Sequence, residues 1–126
     1  MRWTVPYKPW RGSVLPLVPV VVEGLGVLDA LVDSGAAFSV FQATVADALG
    51  SEIEHGERRM FRGAGGRILA YRHVLNVRIL DQAFPLTVFF SRDYLPSVNL
   101  LGRDNFFHKF RVAFDETAQQ VTLEAV

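Results

Sequence analysis

The apolar residues of this chain cluster in short segments of four to nine positions, most of them broken by one or two polar residues and bounded by turn-forming ones, and segments that short build strands more readily than long helices. Residues 15–23 are rich in Val and stop at Gly24, with Pro16 and Pro19 restricting that strand to an edge or to its first positions. Residues 27–32, 38–41, 74–80, 84–90 and 98–101 read as further strands, with turns at Gly24-Leu25-Gly26 and Asp81-Gln82. Residues 58–61 and 67–73 flank a glycine-rich hairpin tip, and residues 111–115 and 120–124 form a closing hairpin about Glu116-Thr117-Ala118. Helical spacing shows in only two places. Residues 43–49 put Val45, Ala48 and Leu49 on one face before Gly50, and residues 104–110 carry Phe106, Phe107 and Phe110. The sum is a mainly β chain with one or two short helices, which suits a closed β-barrel.

The length of 126 residues fits one domain, and with half its residues apolar the chain can bury a core of its own. Thirteen basic residues balance thirteen acidic ones, so no electrostatic case exists for nucleic acid or an anionic membrane as partner. Cys is absent, which excludes disulfides and thiolate metal sites. The apolar stretch 14–32 is interrupted by Pro16, Pro19, Glu23 and Asp29, so it reads neither as a signal peptide nor as a membrane span, and a soluble, cytoplasmic protein is expected. Residues 1–14 form an extended arm ahead of a domain spanning 15–126. Pro6 and Pro9 forbid regular helix there, while Trp3, Tyr7 and Trp10 need a surface to pack on, either the chain's own domain or a partner subunit.

One carboxylate stands out. Asp33 falls in an Asp-Ser-Gly turn, with Leu31 and Val32 before it and Ala36, Ala37, Phe38, Val40 and Phe41 after it, so the sequence predicts a fully buried strand–turn–strand. Alone, Asp-Ser-Gly is an ordinary turn, since Asp and Ser bond the local backbone and Gly accepts positive φ. A carboxylate among apolar residues, however, needs a bonding partner. Gly24-x-Gly26 is not a dinucleotide fingerprint, because a third glycine and a following helix are missing. Gly63-Ala64-Gly65-Gly66 is not a phosphate loop either, because no Lys-Ser/Thr or helix follows it. That tip allows a tight turn whose backbone can approach a ligand closely.

Leu31-Val32-Asp33-Ser34-Gly35-Ala36 resembles the active-site signature of the retropepsin-like aspartic peptidases. Val98-Asn99-Leu100-Leu101-Gly102-Arg103-Asp104 is similar to the apolar-apolar-Gly-Arg-Asp/Asn element of that family, and residues 60–70 resemble its glycine-rich flap. The three elements come in the family's order and cover nearly the whole chain. The resemblance implies a retropepsin-like barrel, one lobe per chain, acting as a cofactor-free and metal-free aspartic endopeptidase. It implies that Asp33 is catalytic, that Ser34 ties two active-site loops together across a dimer axis, and that Gly35 lets the backbone reach carboxylate and substrate. Gly63, Ala64, Gly65 and Gly66 would close over an extended peptide. Ala36, Ala37, Phe38, Ile68 and Val98 would line apolar subsites, Leu101 and Gly102 would pack beneath the active-site loop, and Arg103 would brace it.

Amide hydrolysis by this chemistry needs two carboxylates and one water, one group acting as general base while the other, protonated, polarises the scissile carbonyl. Asp29, Asp47, Asp81, Asp93, Asp104 and Asp115 all lack the Asp-Ser-Gly setting, so the second carboxylate must come from a second copy. A C2 homodimer follows, because only an isologous contact brings a residue against itself. The chain departs from the retroviral pattern at Ala37, where those enzymes typically carry an Asp paired with the Arg corresponding to Arg103; here Arg103 must bond elsewhere. Two other readings stand beside the peptidase. One is a retropepsin-fold dimerisation or peptide-binding module with little hydrolytic activity. The other makes Ser34 a nucleophile with His55, His73 or His108 as base, without the Gly-x-Ser-x-Gly elbow such a site uses.

Overall fold

The structure is a computed structural model and describes residues 1–63, 66–94 and 96–126. Its strands are β1 (Arg2–Pro6), β2 (Lys8–Trp10), β3 (Ser13–Leu15), β4 (Leu17–Val22), β5 (Gly26–Val32) and β6 (Ser39–Gln42), followed by the helix α1 (Ala43–Leu49). After it come β7 (Glu57–Gly63), β8 (Gly66–Ile79), β9 (Gln82–Ser91), β10 (Asn99–Leu101), β11 (Phe110–Asp115) and β12 (Gln120–Ala125). The predicted Ala64 and Gly65 of the hairpin tip lie outside the described residues. No helix is long and apolar enough to cross a membrane among the residues described.

Alternation with period two builds the barrel. Val18, Val20 and Val22 of β4 are buried between more accessible neighbours, and Ala30 and Val32 of β5 do the same. The main sheet runs β4-β5-β10-β6-β9-β8-β7. β4 then pairs with β8 over Val20↔Ile79, Val21↔Arg78 and Val22↔Val77. Six strands thus curl round on themselves, but the seam is only three residue pairs long and β7 stays outside it. The barrel is therefore less fully closed than the sequence suggests. Pro19 fits because β4 has a strand on only one side at that level, so its missing N–H is not needed. Phe41, Phe90, Leu86, Val88, Leu101 and Phe106 fill the interior.

A second sheet, β1-β12-β11, lies beside the barrel. Residues 2–6 pair antiparallel with β12 of the same chain, from Arg2↔Glu124 to Pro6↔Gln120. Trp3 meets Phe110 edge-on at 6.2 Å, which gives that ring its packing surface.

Three local expectations change. Residues 104–110 form no α-helix but a single 3-10 turn, Phe106–His108, with β11 starting at Phe110. Asp104 N–H is held by Ala37 C=O, and the Asn105 side chain bonds β9 at both ends, accepting from Thr87 N–H and donating to Pro85 C=O. Too few residues remain between those anchors and β11 to nucleate a helix. In α1 the buried residues are Val45 and Ala46, while Ala48 is exposed. The expected strands 67–73 and 74–80 are one continuous 14-residue strand, β8, whose first half pairs with β7 and whose second half pairs with β9 and, at its end, β4.

Candidate active site

β5 delivers Asp33. Leu31 and Val32 pair in parallel with Leu100 and Leu101 of β10, and Asp33 N–H extends that ladder by donating to Leu101 C=O at 3.0 Å. The chain then turns: Ala36 N–H donates to Asp33 C=O at 3.2 Å, and Gly35 N–H donates to Asp33 Oδ1 at 2.9 Å. The carboxylate is thus held by a main-chain donor two residues on. A Cβ at Gly35 would stand 3.2 Å from Asp33 Oδ1, tight enough to push on the carboxylate, so glycine leaves that oxygen room. Asp33 is half-buried, but Ser34, Gly35 and Ala37 are exposed. The turn is consequently not the fully buried element the sequence suggests; within one chain it presents a face to solvent.

The segment after β10 supports the turn from below. Arg103 N–H donates to Ala36 C=O at 2.8 Å and Asp104 N–H to Ala37 C=O at 2.9 Å. Gly102 N–H donates to Ser39 Oγ at 3.0 Å, and Ser39 is completely buried. A side chain at Gly102 would collide with the Phe38 carbonyl and stand 2.9 Å from the Ala36 oxygen, so the close passage of the two segments needs glycine. Leu101 is fully buried beneath them. Among the described residues, Arg103 meets the turn through its backbone N–H. Its side chain is exposed and makes no ion pair or hydrogen bond among the described residues.

Phe38 belongs to an aromatic cluster. Its ring packs against Phe61 of β7 at 5.4 Å and Phe89 of β9 at 5.1 Å, Phe61 meets Phe89 edge-on at 4.9 Å, and the Arg59 guanidinium lies 5.2 Å over Phe38. These rings join the β7–β8 hairpin to the segment following Asp33. In the hairpin Gly63 pairs with Gly66, which takes φ +106, and Ile68 pairs with Phe61. Ala36, Ile68 and Val98 are all half-buried.

Two groups at this site escape a reading of the sequence. Ser39 is one, a hydroxyl inside an apolar strand. Tyr94 is the other: it donates its O–H to Val98 C=O at 2.7 Å. Burial, and secondly the charge of Asp33, push its phenol up to about 12, so it stands within the field of that carboxylate. Tyr94 sits in a polar loop with nothing in its neighbours to mark it. As for a serine mechanism, among the described residues no His bonds Ser34: His73 Nε2 donates to Ile53 C=O, His55 pairs with Glu52 and His108 faces Asp104.

Residues 18–104 match the family described as aspartyl protease. No curated protein sequence matches the chain. Among solved structures, a retropepsin-like aspartic protease from Rickettsia conorii superposes with a TM-score of 0.76 at 18% identity, covering 98% of each chain. EIAV protease complexed with the inhibitor HBY-793 superposes with a TM-score of 0.61 at 19% identity, covering 79% of this chain and 92% of that one. At such identities these two likenesses establish the fold, which is retropepsin-like. With the family match spanning most of the chain, including the Asp33 turn and the Gly102 segment that supports it, the protein belongs to the aspartyl protease family and is an aspartic-type endopeptidase.

Proposed function

We propose that the protein works as a C2 homodimer in which Asp33 and the same residue of a second copy share one proton and activate one water. The observation that carries this reading is the Asp33 turn itself: one bonded carboxylate per chain, on a loop whose Ser34, Gly35 and Ala37 are exposed. Two carboxylates about 4 Å apart repel by roughly 4 kcal/mol at an effective dielectric near 20, about three pKa units, so one proton stays between them. Aspartic proteases are the standard instance of this coupling, which belongs to the class and is not deduced from this chain. The ionised partner takes the proton of the water, the neutral one donates to the scissile carbonyl oxygen, and the Gly35 N–H keeps Asp33 Oδ1 oriented.

The substrate is an extended peptide laid between the Asp33 turns and the β7–β8 hairpin, where backbone groups of the hairpin pair with it as a strand would. The half-buried Ala36, Ile68 and Val98 give its side chains apolar surroundings. Peptide-library cleavage across pH 3–8, with mass by light scattering, tests the proposal on wild type and Asp33→Asn. Cleavage by a wild-type dimer that drops by about a thousandfold or more in the variant is the expected result. A stable monomer that cleaves would overturn the shared dyad, and a folded dimer that cleaves nothing would favour a binding module.

A further inference from the structure

The ladder between β8 and β9 ends at Tyr71↔Phe90. Leu69, the next β8 residue whose backbone is bonded on that side, meets side chains in place of a strand. Its N–H donates to Asp93 Oδ2 at 3.0 Å, and its C=O accepts the Ser91 hydroxyl at 2.6 Å. The Asp93 N–H in turn donates to Ser91 Oγ at 3.1 Å. Two side chains therefore carry the ladder one step past its last residue pair. Beyond Leu69 the described backbone of the hairpin pairs only within itself, at Phe61↔Ile68, Arg62↔Arg67 and Gly63↔Gly66. Among the described residues, Leu69 is the last point at which the hairpin backbone is bonded to the barrel.

The segment that supplies Asp93 also reaches Asp33. At the start of the segment Arg92 makes exposed ion pairs with Asp47 on α1 at 3.3 Å and with Glu54 at 3.5 Å. Tyr94 O–H bonds Val98 C=O, and Val98 leads into β10, whose Leu101 C=O holds Asp33 N–H. Asp93 thus lies where the hairpin and the wall beside Asp33 meet. A carboxylate suits the task, since it only accepts, and its charge strengthens the bond to an amide.

We infer that Asp93, supported by Ser91, is a positioning residue that fixes the hinge of the β7–β8 hairpin at Leu69 and thereby sets how firmly the site holds an extended peptide. The inference rests on the reading that the hairpin closes over substrate. Removing the carboxylate leaves Leu69 N–H to water and halves the anchorage at that residue, which then rests on the Ser91 hydroxyl at its C=O alone. The hairpin then spends less time seated, and apparent affinity falls by the lost fraction, while the chemistry of a seated complex is unchanged. Asn keeps one acceptor oxygen in the same place; Ala keeps none.

The test combines amide hydrogen exchange with steady-state cleavage of a peptide substrate, on wild type, Asp93→Ala and Asp93→Asn. In Asp93→Ala the Leu69 amide is expected to exchange about tenfold faster with amides of β4 and β5 unchanged, and KM to rise about three- to tenfold with kcat kept within about twofold. Asp93→Asn recovers most of both effects. Unchanged Leu69 exchange in Asp93→Ala overturns the hinge, as does a fall in kcat with exchange accelerated throughout the barrel, which would make Asp93 merely structural. A wild type that cleaves no peptide, with Leu69 still released in Asp93→Ala and restored in Asp93→Asn, keeps the hinge and overturns the peptidase reading instead.

Discussion

Glycine does two different jobs within a few ångströms of Asp33, and substitution separates them. At Gly102 an added Cβ runs into the Phe38 carbonyl, so Gly102→Ala must force apart two backbone segments and is expected to lower stability by about 3 kcal/mol, read from the denaturant midpoint. At Gly35 the added Cβ meets only Asp33 Oδ1 at 3.2 Å, so Gly35→Ala keeps its fold and loses activity by displacing the carboxylate. Ser39→Ala strands the Gly102 N–H in a buried site at a cost of about 1–3 kcal/mol, measurable in the same way. Tyr94 gives a pH signature. Its folded pKa of about 12 lies above the ordinary value of 10.0, so the neutral phenol is favoured by folding; this stabilisation is complete below pH 10 and fades as pH rises toward 12. Tyr94→Phe is expected to flatten that alkaline loss, and ultraviolet titration of Asp33→Asn to show one phenol ionising earlier than in wild type, because part of the upward push is the Asp33 charge. Asp33 and Gly102 are legible in the sequence because each sits in a contiguous, recognisable run of residues. Ser39 and Tyr94 are not, since their significance comes from partners that only folding brings near: Ser39 meets a backbone N–H 63 positions away.

Elements that alternate cleanly are read well from sequence, and those decided by side-chain capture are not. β4, β5 and β9 follow their apolar patterns, whereas residues 104–110 carry helical spacing of Phe yet are pinned at Asp104 and Asn105 by bonds to Ala37 and β9. The β7–β8 hairpin shows the same contest from the other side. Its glycines and its place in the order are plain in the sequence, but nothing there says that Phe61 lies on Phe38 and Phe89. That ring cluster is a second attachment of the hairpin to the barrel, independent of the Leu69 anchor. Phe61→Ala removes it, and because Phe61 is only half-buried the loss should stay local. The expected outcome is faster amide exchange along β7 with the thermal midpoint lowered by no more than about 5 °C, alongside a raised KM.

At the scale of the whole molecule, β12 restricts how two copies can meet. Its one edge carries β1 from Arg2↔Glu124 to Pro6↔Gln120 and its other edge carries β11 from Phe110↔Ala125 to Asp115↔Gln120, so no strand of a partner fits between them. In the proposed dimer a partner's terminal strands could join this sheet only at the outer edges of β1 or β11, and the contact that cannot be avoided is the exposed turn at Ser34, Gly35 and Ala37. Subunit exchange between copies meeting at this face would make the shared dyad measurable without a structure of the pair. When wild type is mixed with Asp33→Asn at constant total concentration, a pair containing one altered copy has a single competent carboxylate and should not turn over. Activity then follows the square of the wild-type fraction, so an equal mixture retains about a quarter of the starting rate after exchange. Chains that each carry a complete site would give half. That difference is a factor of two in rate, easily resolved, and a linear dependence after demonstrated subunit exchange would mean that Asp33 works without its counterpart.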